Sequence, residues 1–325
     1  MIVVTLLGSG GGMPMPNRYL SSMLIDYQSR KILIDCGEGT QVSMRENKTG
    51  FKTLDIICLT HFHGDHIYGL PGLLSTMGNS GRTESLTIIG PSGVNEIIQA
   101  LRQTIPYLPF GVDIIENPQA PLSLYPDPAS GGLKLNHGSA EAKGKVEIIL
   151  STLKLHHSSP CLGYSLYIPR RPRFYPDRAI QQGIPVRYWK RLQQGETVVD
   201  GKHIYEPHMV LGEERRGIKL SYITDTRPID TIPTFICRSD LLVCEGTYGA
   251  DEDQEKALKN KHMTYREAAE LALKGKVKEL WLTHFSPAMD DPEFYLKNAT
   301  GLFPNTILGH DGITNILRYS PARTS

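Results

Sequence analysis

The sequence has no Cys-x-x-Cys pair, no long apolar run, no excess of either charge and no visible internal repeat, and each absence narrows the field. Its five cysteines, Cys36, Cys58, Cys161, Cys237 and Cys244, are odd in number, scattered and mostly set in apolar runs. They read as reduced core thiols rather than a disulfide framework, including Cys161 and Cys244, which lie near segments discussed below. No apolar run approaches a membrane span, and residues 1–8 show neither a basic leader nor a small-residue cleavage site, so cytoplasmic residence is the expectation. A net charge of +1 gives no global attraction to nucleic acid, and binding to a polyanion would need a local basic patch. What remains is an ordinary soluble composition: 325 residues, 40% hydrophobic and 21% charged, enough for one large domain or two closely joined halves.

Short apolar runs predict strands at 2–7, 22–27, 31–34 and 56–59, and periodic stretches predict helices at 67–77 and 92–104. The stretch 116–145, rich in Pro, Gly and Ser, reads as surface strands and loops. Strands resume at 146–153, 163–168, 218–223, 241–244 and 280–282, with a helix at 265–274, so the second half repeats the order of elements of the first. Between the halves, residues 170–216 are polar and basic and read as an insertion, with a helical part at 177–182 that stands away from the core.

Directly after the apolar run 54–59 comes Thr60-His61-Phe62-His63-Gly64-Asp65-His66. Three histidines and an aspartate in six positions are hard to explain by packing, because buried polar rings without partners cost free energy. Imidazole and carboxylate are natural zinc ligands. His-x-His places two rings on one ion, while Asp65 and His66 turn toward a second. Further ligands are expected at other strand ends, and three segments supply them: His156-His157, Asp225 within Thr224-Asp225-Thr226-Arg227-Pro228, and His284 within Thr283-His284-Phe285-Ser286. Each alone is as well read as a turn or cap residue; together with the first motif they make a two-metal site.

These segments, with Leu7-Gly8-Ser9-Gly10 and Ile34-Asp35-Cys36-Gly37-Glu38-Gly39-Thr40-Gln41, resemble the metallo-β-lactamase superfamily, and within it the RNase Z (tRNA 3′-processing endoribonuclease) family, over nearly the whole chain. The resemblance implies an αββα sandwich, with two mixed sheets face to face, helices outside and the metals at one edge. It also implies that residues 1–325 form a single domain from which residues 170–216 protrude as an RNA-binding arm. By the same resemblance, one zinc falls to His61, His63 and His157 and the second to Asp65, His66 and His284, with Asp225 bridging the two. His157 is chosen over His156 for its six-residue spacing to Gly163. Asp35 would sit behind the histidine loop and hold ligand orientation; on spacing alone it is equally a turn residue ahead of Gly37.

Cys244-Glu245-Gly246-Thr247 aligns with the family's His-Glu-Ala-Thr box, and Lys261-His262-Met263-Thr264 with its His-Ser-Thr box. The resemblance makes His262 the proton donor to the leaving oxygen, supported by Glu245, and Asp65 a base for the attacking water. From the residues alone, His262 is equally a surface histidine ahead of a helix. The early loop keeps the family's proline and arginine as Pro14 and Arg18 but has Pro16 for a lysine and Tyr19 for an asparagine, which bears on discrimination of the tRNA 3′ end. The insertion carries Arg187, Lys190 and Arg191, yet Gly183-Ile184-Pro185 lacks the usual Gly-Pro. Its charge runs read either as phosphate contacts, as would Arg18, or as a solvated face.

The expected function is zinc-dependent hydrolysis of a phosphodiester at the 3′ side of precursor tRNA, leaving a 3′-hydroxyl, by a cytoplasmic homodimer holding two zinc ions per chain. Two rivals stand beside it: a phosphodiesterase of the same fold acting on small diesters, and a non-catalytic protein that keeps structural zinc and holds RNA. A proton donor and an open coordination position argue against the second, since a closed structural site needs neither.

Overall fold

Strands that are apolar on both faces need cover on both sides. In β3 (Arg30–Ile34), Ile32 and Ile34 share one face and Leu33 takes the other, and all three are fully buried. In the computed structural model, which describes residues 1–105, 107–127, 130–135 and 146–320, a second sheet covers one face and helices the other.

With strands numbered in chain order, β1 (Ile2–Gly8), β2 (Ser22–Tyr27), β3, β4 (Leu54–Cys58), β5 (Leu86–Gly90) and β6 (Val112–Glu116) form one sheet, and β17 (Thr314–Leu317) pairs with β1 at its edge. The second sheet contains β7 (Leu122–Pro126), β8 (Leu133–Leu135), β9 (Ile148–Lys154), β10 (Leu162–Arg170), β13 (Arg215–Ile223), β14 (Leu241–Glu245), β15 (Leu280–Thr283) and β16 (Thr306–Leu308). Its order is β16-β15-β14-β13-β10-β9-β7-β8. Both sheets are mixed: β3 to β6 and β13 to β16 run parallel, and the remaining pairs are antiparallel.

Three cores build the layers. Ile25, Ile34, Ile56, Leu150, Tyr164, Leu220 and Trp281 fill the space between the sheets. Leu33, Ile57 and Ile88 pack outward against the helices Thr40–Glu46, Leu70–Asn79 and Val94–Arg102. Leu242, Leu280 and Leu282 do the same on the other side against Tyr265–Lys274. The architecture is the expected αββα sandwich. In-register parallel pairing (Ile34↔Cys58, Ile223↔Cys244, Glu245↔Thr283) brings the carboxyl ends of these strands to one edge, the usual place for ligands in such sheets.

The expected helix 67–77 is interrupted: a turn of helix at Gly64–Ile67 stops before Leu70–Asn79, whose first turn carries Pro71. In the stretch 116–145, β7 and β8 are described, while residues 136–145 lie outside the described residues. The segment expected as an insertion leaves β10 and rejoins at β13, where Arg170 pairs directly with Arg215. It contains the helices Pro176–Gln181 and Val186–Gln193 and the hairpin of β11 (Val198–Asp200) and β12 (His203–Tyr205). Ala179, Ile184, Leu192, Val198 and Val210 form a small core of its own. Four of the five cysteines are buried, Cys237 is exposed, and all five are free thiols.

Candidate metal centre

Three residues at the shared edge have positive φ without being glycine: Asp35 (58°), Asp225 (52°) and His284 (59°). Each follows a strand, β3, β13 or β15. Left-handed backbone costs of order 1–3 kcal/mol at a non-glycine residue and persists only where the surroundings impose it. Here the twist turns each side chain back over the sheet edge, toward the loop that carries His61, His63, Asp65 and His66.

The structure brings seven of the sequence-predicted residues into two adjoining clusters. His61, His63, His157 and Asp225 form one, and Asp65, His66 and His284 the other, their candidate ligand atoms all within 4.8 Å of one another inside each cluster. Asp225 faces both. Its Oδ1 lies 3.3 Å from Nε2 of both His66 and His284, and its Oδ2 lies 3.6 Å from His61 Nε2 and 3.8 Å from His157 Nε2. Asp65 Oδ2 sits 3.2 Å from His284 Nε2.

The outer nitrogens are fixed by other partners. His66 Nδ1 meets Asp35 Oδ2 at 2.8 Å, and Asp35 Oδ1 accepts from the Thr60 backbone N–H at 2.8 Å, so Asp35 stands behind the ligand loop and also makes the turn after β3. His61 Nδ1 contacts Thr60 Oγ1, His157 Nδ1 donates to the Lys261 carbonyl, and His284 Nδ1 lies 3.0 Å from Thr247 Oγ1. The inner nitrogens then converge on one another: His66 Nε2 and His284 Nε2 are 3.2 Å apart, and His63 Nδ1 and His157 Nε2 are 3.3 Å apart. His61 Nε2 is buried with no hydrogen-bond partner. An orphaned buried nitrogen beside convergent lone pairs and a carboxylate is what a cation-binding donor set looks like, and it suits a metal ion.

The electrostatics agree with this. Burial, reinforced by the charge on His66, lowers the His61 pKa well below its ordinary value, and burial also lowers that of His157, so both rings stay neutral with lone pairs available. Burial opposes ionisation of Asp225, yet the charges on His284 and His66 hold its carboxyl well below the usual range. Asp65 is likewise held low, against burial, by His284 and His66.

A cleft of 460 Å³ opens onto these groups, lined among others by Gly12, His63, Tyr248, Asn260, His262 and Pro287. His262 Nδ1 is 3.0 Å from Glu245 Oε2, which also accepts from the Met263 N–H and Thr247 Oγ1, while Glu245 Oε1 accepts from the Thr226 N–H at 2.6 Å. Burial disfavours the charge on His262, but the Glu245 carboxylate and Asp225 push its pKa up to about 9, so it carries its proton at neutral pH. Asp225, His262 and His284 also form a third potential ligand group. His156 is exposed and lines a neighbouring cleft with Lys154 and Ser158, apart from both clusters.

Several groups at the site were not singled out from the sequence. The Gly12 N–H donates to Asp65 Oδ2 at 2.6 Å, and a Cβ on Gly11 would stand 2.4 Å from the His284 ring, so the loop entering the cleft rests directly on two candidate ligands. Thr60, Thr226 and Thr247 act just beyond strand ends, where a threonine is otherwise an unremarkable turn residue. Of the residues expected at RNA, Arg18 bonds the Met289 carbonyl and lies over the Phe285 ring. Arg187 pairs with Asp200 and Arg191 with Glu196 on the insertion, and Lys190 beside them is exposed. These exposed pairs are weak, so either arginine exchanges its carboxylate for a phosphate at little cost.

Two facing mixed sheets, helices outside and a His/Asp cluster at the strand ends define a protein of the metallo-β-lactamase fold. Solved structures agree: the metallo-β-lactamase fold protein YhfI from Bacillus subtilis superposes with a TM-score of 0.65 at 21% identity, covering 97% of this chain and 100% of that one. Human tRNase Z, short form, gives 0.64 at 23%, covering 97% and 99%. Ribonuclease Z of Alkaliphilus oremlandii is 55% identical over 319 residues, covering 98% of this chain and 99% of the relative, and that of Clostridium beijerinckii is 54% identical over 322 residues with the same coverage. The chain belongs to the ribonuclease Z family. Residues 2–176 also match the family model described as Anti-Pycsar protein Apyc1.

Proposed function

We propose that the chain is a metal-dependent endoribonuclease that cuts the phosphodiester on the 3′ side of precursor tRNA, removing the trailer and leaving a 3′-hydroxyl. The observation that carries the reading is the pair of adjoining donor clusters sharing Asp225, with His262, bonded to Glu245, on the wall of the same cleft. His61, His63 and His157 would hold one zinc, Asp65, His66 and His284 the other, and one Asp225 oxygen would go to each. When bound, the metals would supply positive charge at the phosphoryl oxygens and acidify a water toward neutrality.

The chain's own residues do the rest. Asp65, ionised and held by the Gly12 N–H, accepts a hydrogen bond from the attacking water and takes its proton. As the bond from phosphorus to the leaving 3′-oxygen of the tRNA breaks, His262 passes its Nε2 proton to that oxygen, while Glu245 on Nδ1 holds the ring orientation and stabilises its charge. The proposal includes a homodimer acting in the cytoplasm; no helix among the described residues is long and apolar enough to cross a membrane.

Three-prime-extended pre-tRNA with and without encoded CCA, run beside a small aryl phosphodiester, tests the assignment. Preferred cleavage of pre-tRNA supports it; turnover of the aryl diester alone moves the assignment to the small-diester enzyme. Replacing Asp35 by Ala frees His66 Nδ1 and leaves the ligand loop untied, and zinc affinity is expected to fall roughly 10- to 100-fold in a competition titration. Unchanged affinity would mean that Asp35 serves the turn only.

The insertion supplies the grip on tRNA in this reading. Because Arg170 and Arg215 pair directly, residues 172–213 can be replaced by a two-residue Asn-Gly turn, taking the small core out as a unit. Pre-tRNA binding should weaken and lose part of its salt dependence, while aryl phosphodiester hydrolysis persists. Equal loss on both substrates would make the segment a support of the fold, and unchanged pre-tRNA cleavage would make it a solvated face.

A further inference from the structure

His262 is held by its loop as much as by Glu245. The loop joins the helices Gln254–Asn260 and Tyr265–Lys274, and Lys261 enters it with a positive φ of 59°. The His262 backbone N–H donates to the Ala257 carbonyl at 2.9 Å, and the next residue's N–H donates to Glu245. The His262 carbonyl accepts a hydrogen bond from Nη1 of Arg227, two residues after Asp225.

The same guanidinium closes a two-pronged ion pair with Glu267: Nη1 lies 3.0 Å from Oε2, and Nη2 pairs with Oε1. Glu267 is itself a tie. Its Oε2 accepts from the Thr264 N–H at 2.9 Å, completing the capping box of the following helix, and its Oε1 accepts from Gln254 of the preceding one at 2.8 Å. The pair is mostly buried, with 12% and 15% of the two side chains exposed, so water screens it little. Arg227 is not among the residues lining the cleft, and its donors point at protein groups.

We infer that Arg227 is a positioning residue for leaving-group protonation: with Glu267 it struts the His262 loop against the end of β13, fixing the imidazole relative to Asp225. The inference rests on the reading of His262 as the proton donor. Three donors in a fixed plane are engaged at once, a pattern that lysine cannot reproduce. Proton transfer is effective only over about 2.6–3.2 Å, and a displacement near 1 Å costs on the order of 100-fold, so loosening the strut slows the step that needs the proton.

The test compares single-turnover cleavage of a pre-tRNA with its ordinary 3′-oxygen leaving group at the cleavage site and of the same RNA with sulfur bridging at that 3′ position. A departing thiolate, with a pKa near about 8.5 for a simple thiol, needs no proton donor. His262→Ala should lose roughly 100-fold on the oxygen substrate and regain most of it on sulfur. Arg227→Met should lose about 10-fold on oxygen and little on sulfur, keep its metal and RNA affinity, and add nothing to the loss in His262→Ala. Arg227→Lys should restore part of the oxygen rate, and Glu267→Gln should reproduce the pattern more weakly, which covers a poorly folding Arg227→Met. Equal slowing of both substrates, metal loss or wild-type rates in Arg227→Met and Glu267→Gln, with His262→Ala rescued by sulfur, would overturn the inference alone. Failure of sulfur to rescue His262→Ala would sink the proton-donor reading and the inference with it.

Discussion

Asp225→Ala is expected to leave the purified protein with less than one metal per chain, where the parent holds close to two, and to lower pre-tRNA cleavage by roughly 1,000-fold or more. The magnitude follows from the several kcal/mol that metal-held charge contributes to a phosphoryl transition state. One side chain has this reach because its two oxygens face different clusters, Oδ1 toward His66 and His284 and Oδ2 toward His61 and His157. His63→Ala, by contrast, removes a donor from one cluster only and should lose metal from that cluster first, with activity falling as well. Elemental analysis of protein prepared without chelator checks both, and a full metal complement in Asp225→Ala would contradict the shared-ligand arrangement.

His262→Ala should behave in the opposite way, keeping its metal and its affinity for RNA while single-turnover cleavage falls about 100-fold, the usual contribution of a positioned acid. The separation is expected because His262 Nδ1 is taken up by Glu245 at 3.0 Å and stands 3.9 Å from the nearest Asp225 oxygen. Metal loss in this variant would instead make His262 a ligand, through its grouping with Asp225 and His284.

The clusters were legible in the sequence for a physical reason: an apolar strand that ends in several imidazoles has no packing use for them, and the pattern recurs at three other strand ends. Asp35 was undecidable on spacing because both readings describe it, with a left-handed backbone that makes the turn and a carboxylate bonded to His66. Arg227 was visible as part of a motif but not as a strut, since its partners, the His262 carbonyl and Glu267, lie 35 and 40 residues away. The helix Thr40–Glu46 escaped because the residues it buries, Thr40, Ser43 and Met44, give no apolar period. The run 187–191 read as charge alone, although Tyr188 and Trp189 within it pack against the small core of the insertion, to which the adjoining Leu192 belongs.

The central claim is that water, activated in this cleft, displaces the 3′-oxygen of the tRNA and leaves the phosphate on the trailer. The end groups of the products report it directly. Zinc-loaded protein incubated with 3′-extended pre-tRNA should yield a tRNA ending in a free 3′-hydroxyl and an intact trailer bearing a 5′-phosphate. A tRNA fragment ending in a 2′,3′-cyclic phosphate, with a 5′-hydroxyl on the trailer, would mean that the RNA's own 2′-hydroxyl attacked, and it would contradict the roles given to Asp65, Asp225 and His262.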